Sequence, residues 1–303
     1  MKKAISFLLL LSMMIICGCG SPKPVDNGKM KVVATVYPVY EVAKQVGGDK
    51  ISLSMLVPLG AEPHDWEPTA SNLREIGAAK VFLYSGAGLE PMDKLLTKEV
   101  AGKAKICELS AGLELLPGNS LSGKGTAAAL SYDPHVWLDP MNVYQEVDHV
   151  VATFSEADPA NKDYYAANGR KFQEQLKKLD NQYRENLQNK VRKDFVSAHE
   201  AFGYLAKRYD LVQVGIMGMS HESEPTPEAM ATVVKFINNN HIPVIYTEAD
   251  SENKIATAIA KETGVQIKTL HTIETITDEQ QKQGVSYITF MEENLAALTS
   301  GVE

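Results

Sequence analysis

The stretch ANKDYYAANGRKFQEQLKKLDNQYRENL, residues 160–187, is highly charged and contains no proline. Its apolar side chains recur at intervals of three to four residues: Phe172, Leu176, Leu179 and Tyr183. This spacing predicts one long amphipathic helix, and Asp158-Pro159 is typical of a helix start. The apolar stripe is too short to carry a coiled-coil oligomer by itself. We therefore interpret the helix as a stiff spine between two halves of the chain, and we expect a monomer.

Short apolar runs alternate with amphipathic segments on both sides of this helix. The predicted strands are 31–36, 51–57, 81–84, 105–109, 195–197, 212–216, 243–247 and 265–269. The other predicted helices are 40–46, 72–79, 141–154, 201–208, 227–238, 254–262 and 286–298. Such alternation predicts an α/β fold of two lobes with parallel-rich sheets covered by helices. The expected division is an N-terminal lobe at 30–158, the linking helix at 159–190 and a C-terminal lobe at 191–303.

The first residues are typical of a bacterial lipoprotein precursor. Two lysines precede an apolar run that is too short to span a bilayer, and the run ends at Ile16-Cys17-Gly18-Cys19. We expect residues 1–18 to be a signal peptide and Cys19 to carry lipid, because bulky Ile16 does not suit cleavage before Cys17. Residues 19–29 are then a lipid-anchored tether. This predicts attachment to the extracytoplasmic face of the cell membrane by the lipid anchor only.

The charge and the cysteine content of the chain exclude several classes of partner and site. The 303-residue chain has a formal net charge of −8, which argues against nucleic acid as a partner. Of the three cysteines, Cys17 and Cys19 belong to the leader, so that Cys107 is the one thiol left in the body. A single thiol forms no internal disulfide, and no Cys-x-x-Cys metal or redox motif is present.

Two similar motifs carry the strongest chemical signal. Glu62-Pro63-His64-Asp65-Trp66-Glu67-Pro68 and Asp133-Pro134-His135-Val136-Trp137-Leu138-Asp139-Pro140 each place a histidine between a proline and a tryptophan. They contain both tryptophans of the chain. Because proline restricts its own backbone and that of the preceding residue, both histidines are expected on stiff loops. Rigid imidazoles suit metal ligation, since little entropy is lost when the ion binds.

A third histidine, His199, follows a predicted strand and therefore faces the crevice where ligands collect in open α/β sheets. Three imidazoles suit a borderline-soft ion such as zinc, which needs a fourth ligand. Position alone leaves four candidates open: Glu248, Asp250, Glu274 and His271. The remaining histidines have structural interpretations: His149 in a helix, His221 in an exposed loop and His241 in a polar turn.

The sequence resembles the metal-binding lipoproteins that serve as solute-binding receptors of bacterial zinc and manganese ABC importers. The matching stretches are residues 60–69, 133–140, 197–204 and 224–227. The resemblance implies two α/β lobes joined by a long helix, with the metal bound between the lobes. It implies that His64, His135 and His199 are metal ligands. It favours Glu274 as the fourth, because residues 270–277 match the Leu-x-x-x-Glu context of zinc-type members.

The implied function is a high-affinity zinc receptor that delivers Zn²⁺ to an ABC permease and is not an enzyme. Manganese-type relatives use Glu for the third histidine and Asp for the fourth ligand, so Mn²⁺ is the less favoured cargo. The His-rich loop of many zinc members is missing, since residues 115–131 contain no histidine. An exported zinc hydrolase is the rival interpretation, but no His-Glu-x-x-His motif is present. Cell adhesion is kept as a second role that no residue pattern here predicts.

The same motifs supply candidates for the surroundings of the ion. We expect the two tryptophans to shield the cleft from water. We expect the carboxylates of Asp65, Glu67 and Asp139 to orient the imidazoles, as polar partners of metal ligands commonly do.

Overall fold

A computed structural model describes residues 28–97, 104–118, 131–219, 225–249 and 253–302. The predicted signal peptide, Cys19, His221 and Asp250 lie outside these residues, as do residues 119–130 of the predicted loop at 115–131. Among the described helices, none combines the length and apolarity needed to cross a membrane.

The first half of the chain forms a sheet of four parallel strands. They are β1 (Met30–Ala34), β2 (Ile51–Met55), β3 (Val81–Tyr84) and β4 (Lys105–Glu108). Their order across the sheet is β2-β1-β3-β4. Three of the helices of this half were predicted: α1 (Tyr37–Gly47), α2 (Ala70–Ala78) and α4 (Pro140–Ala157). A further short helix is α3 (Met92–Leu95).

The predicted spine is present as one helix. A 3-10 turn at Pro159–Asn161 leads into α5, Lys162–Leu187, whose apolar stripe is buried. Gly169 permits close packing on α4, because a Cβ at this position would lie 2.5 Å from Cγ2 of Val151. The two helices therefore pack closely along the middle of the molecule.

The second half repeats the pattern. Its strands are β5 (Asp194–Ser197), β6 (Val212–Gly215), β7 (Val244–Thr247) and β8 (Gln266–Thr269), all parallel and in the order β6-β5-β7-β8. Its helices are α6 (Gly203–Arg208), α7 (Pro227–Asn240), α8 (Lys254–Thr263), α9 (Asp278–Gln283) and α10 (Tyr287–Val302). The sequence did not predict α3 or α9.

One apolar core joins the two sheets. Val32 of β1, Leu176 of α5, Tyr246 of β7 and Leu298 of α10 belong to the same buried cluster. Because side chains alternate across a strand, the neighbouring Val33 packs on the opposite face of the sheet in a separate small cluster. Helix α5 thus lies inside a core that both sheets share.

Candidate metal centre

Four side chains named from the sequence lie together between the two sheets. His64 is in the loop after β2, and His135 precedes the 3-10 turn Val136–Leu138 that leads into α4. His199 lies two residues after β5, and Glu274 follows β8. Parallel strands present the loops at their carboxyl ends along one edge of a sheet, which is where ligands bind in such folds. Position in the sequence predicted the three histidines at this crevice, and the family resemblance favoured Glu274 as the fourth residue.

The ligand atoms of these residues lie within 4.8 Å of one another. Nε2 of His64 is 3.2 Å from Nε2 of His135 and 3.5 Å from Oε1 of Glu274. Nε2 of His135 is 2.7 Å from the same Oε1 atom, and Nδ1 of His199 is 3.9 Å from it. Ligands that surround zinc tetrahedrally at about 2 Å lie about 3.3 Å apart. The quoted separations of 2.7–3.9 Å lie on either side of this value, so small shifts of the four side chains would surround a zinc ion.

Glu274 is the buried anion of the group. Its side chain is 3% exposed, and Oε1 makes no hydrogen bond of acceptable geometry within the described residues despite its three imidazole neighbours. Burial raises the pKa of this carboxyl, but the nearby histidines, His199 foremost, outweigh burial and hold the pKa well below its usual range. A buried carboxylate that converges with imidazoles in this way suits a shared cation.

The backbone beside Glu274 is strained. Ile273 has a φ of 63°, in the left-handed region that β-branched residues rarely adopt. Ile273 stands between His271 and Glu274 in the chain, and of these two side chains only Glu274 belongs to the cluster with the three histidines. Strain of this kind is commonly kept at sites where function needs it.

His135 is held by a second carboxylate. Oδ1 of Asp133 lies 2.8 Å from Nδ1 of His135, and the same oxygen accepts a hydrogen bond from the backbone N–H of His135 at 3.0 Å. Burial lowers the pKa of His135, but Asp133 and Glu274 outweigh it and raise the pKa to about 10. Asp133 thereby fixes the ring and directs Nε2 towards the centre.

Known proteins match this chain over most of its length. Residues 32–301 match the family described as zinc-uptake complex component A, periplasmic (ZnuA). The chain belongs to this family. High-affinity zinc uptake system protein ZnuA of Bacillus subtilis (strain 168) is 33% identical, with 96% of this chain and 95% of that protein covered. Zinc-binding lipoprotein AdcA of Streptococcus pneumoniae (strain R6) is 35% identical, with 98% of this chain and 60% of AdcA covered.

Solved structures of ZnuA-like proteins have the same fold. The Zn(II)-bound ZnuA-like domain of Streptococcus pneumoniae AdcA superposes with a TM-score of 0.80 at 36% identity, covering 91% of this chain and 99% of that domain. The laminin binding protein Lmb of Streptococcus agalactiae is described as bifunctional, with adhesin and metal transporting activity. It has a TM-score of 0.80 at 31% identity, with 90% of this chain and 100% of Lmb covered.

Glu248 contacts the site without belonging to the group of four. Its Oε1 lies 2.8 Å from Nδ1 of His199, and Nε2 of His199 lies 3.1 Å from the carbonyl oxygen of Met219. Both ring nitrogens of His199 therefore face oxygen atoms in this ZnuA-family chain. Ligation of an ion by either nitrogen replaces one of these two contacts.

Two of the three carboxylates that the sequence singled out to orient the imidazoles, Glu67 and Asp139, contact other groups instead, so the expectation was wrong for these two. Asp65 is exposed, and Glu67 pairs with Lys94 at 2.6 Å. Asp139 caps α4 by accepting a hydrogen bond from the backbone N–H of Met141. Asp133, which the sequence analysis had not given this role, stood in the same histidine motif, two residues before the ring that it holds.

Three other histidines lie outside the cluster of His64, His135, His199 and Glu274. Nε2 of His271 is 2.9 Å from Oε2 of Glu293, and its ring packs 4.8 Å from that of Phe290. His149 contacts the carbonyl oxygen of Leu109, and His241 ends α7 in a left-handed conformation. The positions of His149 and His241 agree with the structural interpretations that the sequence suggested for these two residues.

The two tryptophans differ. Trp137 is buried, packs edge-on against the His135 ring at 5.4 Å and donates its Nε1–H to the carbonyl oxygen of Thr272. It thereby links the loop of His135 to the segment of Glu274. Trp66 is half-buried among apolar residues. A cleft of about 280 Å³, lined in part by Glu62, Glu248 and Glu274, lies beside the centre.

Proposed function

We propose that the chain is the zinc receptor of an ABC importer and binds one Zn²⁺ through His64, His135, His199 and Glu274. The observation that carries the proposal is the convergence of these four ligand atoms within 4.8 Å between the two sheets. Their membership of a ZnuA-family chain supports the same assignment. Zinc is the cargo of this receptor, so the ion is held and later released unchanged.

The donor set favours zinc over manganese and binding over catalysis. Three imidazoles and one carboxylate fill a tetrahedral zinc site, whereas Mn²⁺ prefers more oxygen ligands in octahedral geometry. Catalytic zinc sites keep a position open for water or substrate, and a full set of four protein ligands leaves none. The site therefore fits a solute-binding receptor better than a zinc hydrolase.

The remaining parts of the proposal concern the surroundings of the receptor. We place it as a monomer on the extracytoplasmic face of the membrane, anchored by lipid on Cys19, with the permease as its partner. The lobes are assigned to residues 30–158 and 191–303, with 159–190 as the linking helix. Replacing Cys19 with Ala should move the protein from the membrane fraction of its host to the soluble fraction. Retention in the membrane fraction would contradict the lipid anchor.

Competitive metal loading tests the cargo. The chain from residue 20 is stripped with a chelator, loaded from an equimolar mixture of zinc and manganese, desalted and analysed for metal. We expect one zinc per chain. The His64→Ala variant should lose most of this zinc, whereas His241→Ala, the same change at a histidine outside the site, should keep it. Preferential manganese loading, or equal losses in both variants, would overturn the assignment.

A further inference from the structure

One face of α6 contacts both ends of the His135 loop, defined here as residues 133–139. The hydroxyl of Tyr204 donates to the carbonyl oxygen of Asp133 at 2.8 Å. One helical turn later, Nε of Arg208 lies 3.1 Å from Oδ1 of Asp139. Residues four apart share a helix face, so the two contacts act from the same side. The loop is thus held at its first and last residues.

The beginning of α6 also lies close to this loop. A Cβ added to Gly203 would lie 2.7 Å from Oδ2 of Asp133, the carboxylate that holds His135. Any larger side chain at this position would displace Asp133 or the helix. The approach therefore depends on glycine for space.

Helix α6 also follows His199 closely in the chain. Only three residues separate His199 from Gly203, the first residue of α6, and two of them, Ala201 and Phe202, are fully buried. A short buried connection transmits position with little slack. Helix α6 therefore contacts the His135 loop while its own N-terminal connection carries His199.

Arg208 is also fixed to the spine. Its Nε lies 2.7 Å from Oδ1 of Asp180 on α5, and the hydroxyl of Tyr209 donates to the same oxygen at 3.1 Å. The ring of Tyr209 stacks on that of Tyr183 at 4.6 Å. Arg208 thus joins the His135 loop, the spine helix and α6 at one largely buried point.

We propose that Tyr204 and Arg208 are positioning residues that set the distance between His135 and His199 across the two lobes. The inference rests on the proposed function, because it concerns how firmly the same site holds zinc. The two histidine rings lie 5.0 Å apart between centroids. With the clamp of Tyr204 and Arg208 in place, these two ligands meet the ion as a preformed pair. Without it, each lobe has to bring its histidine separately, and zinc dissociates faster.

Zinc affinity and the zinc dissociation rate of Tyr204→Phe, Arg208→Lys and the double variant test the clamp. Tyr204→Phe removes one hydroxyl, and Arg208→Lys keeps the charge but loses the planar donor group. We expect the double variant to bind zinc about 10- to 100-fold more weakly, the range seen when groups that orient metal ligands are removed. The loss should appear in the dissociation rate, and the visible spectrum of bound Co²⁺ should change.

Two matched controls separate positioning from general destabilisation. Tyr165→Phe removes a hydroxyl that donates to Oδ2 of Asp158, and Arg192→Lys removes a guanidinium that contacts the carbonyl oxygen of His241. Neither contact involves the His135 loop, so both variants should keep zinc affinity within about twofold and retain the Co²⁺ spectrum.

The outcomes are separable from those of the proposed function. Unchanged zinc dissociation in the double variant would overturn the clamp, and so would an equal loss in the two controls. If the unaltered chain itself bound no zinc, the proposed function would fail, whatever the variants did.

Discussion

Zinc binding should expel a proton from His135, and the size of this effect follows from the structure. Asp133 and Glu274 outweigh the effect of burial and raise the pKa of His135 to about 10, against 6.5 for an ordinary histidine. At pH 7 the metal-free ring is therefore protonated. Its Nε2 has to lose that proton before it binds the ion. The apparent affinity at pH 7 should be about 1,000-fold below that of the deprotonated site, since each pH unit below the pKa costs a factor of ten.

Competition with a chelator of known pH dependence measures this effect. Zinc affinity should rise about tenfold between pH 7 and pH 8, a range in which a histidine of pKa 6.5 would contribute little. Calorimetry in two buffers of different ionisation enthalpy should show about one proton released per zinc bound. The Asp133→Asn variant lacks one of the two carboxylates that raise the pKa, so its affinity should change less over the same range. Equal affinities of the unaltered chain at pH 7 and pH 8 would show that zinc binding displaces no proton from His135.

Three further predictions concern stability, measured by urea unfolding unless stated otherwise. Trp137→Phe deprives the buried carbonyl oxygen of Thr272 of its donor and should lower the free energy of unfolding by about 1–3 kcal/mol. Trp66→Phe, at a half-buried position, should lower the free energy of unfolding by less. An equal decrease in the two variants would contradict the role of the Trp137 hydrogen bond. Gly169→Ala places a Cβ against Val151 and should cost about 1–3 kcal/mol, whereas an unchanged midpoint would show that α4 and α5 have room to part. Zinc at about 1,000 times its Kd should add about 4 kcal/mol to stability in thermal unfolding, and a chelator should reverse it. A melting temperature that does not change when zinc is added would contradict zinc binding to the folded state.

Much of the fold was predictable because its signals are local. The run at 81–84 is β3 itself, and the apolar stripe of 160–187 predicted α5 to within two residues. Helix α9 was missed because it is polar and none of its residues is buried. Its signals are confined to its ends: the capping box of Thr277 and Gln280, and Gly284 in a left-handed conformation after its last residue. The shared core could not be read from either half, since it depends on how α10 packs against α5.

The residues of the site, like the fold, could be predicted from the sequence only in part. Proline and tryptophan marked His64 and His135 as special, and position after a strand marked His199. Neither signal distinguished Glu274 from His271, because their directions depend on the turn at Ile273 and on the pairing of His271 with Glu293. The roles of Asp133 and Glu248 could not be assigned for a related reason. A carboxylate's partner is set by side-chain direction and by contacts across the lobes, which sequence spacing does not encode.

The assignment of the fourth ligand is the point at which the account is most directly tested. Zinc affinity is measured by chelator competition for the unaltered chain, Glu274→Ala and His271→Ala at one pH. Glu274→Ala should lower zinc affinity at least tenfold, because zinc loses one of its four ligands, and His271→Ala should change it by no more than about twofold. A loss confined to His271→Ala would contradict the proposed site.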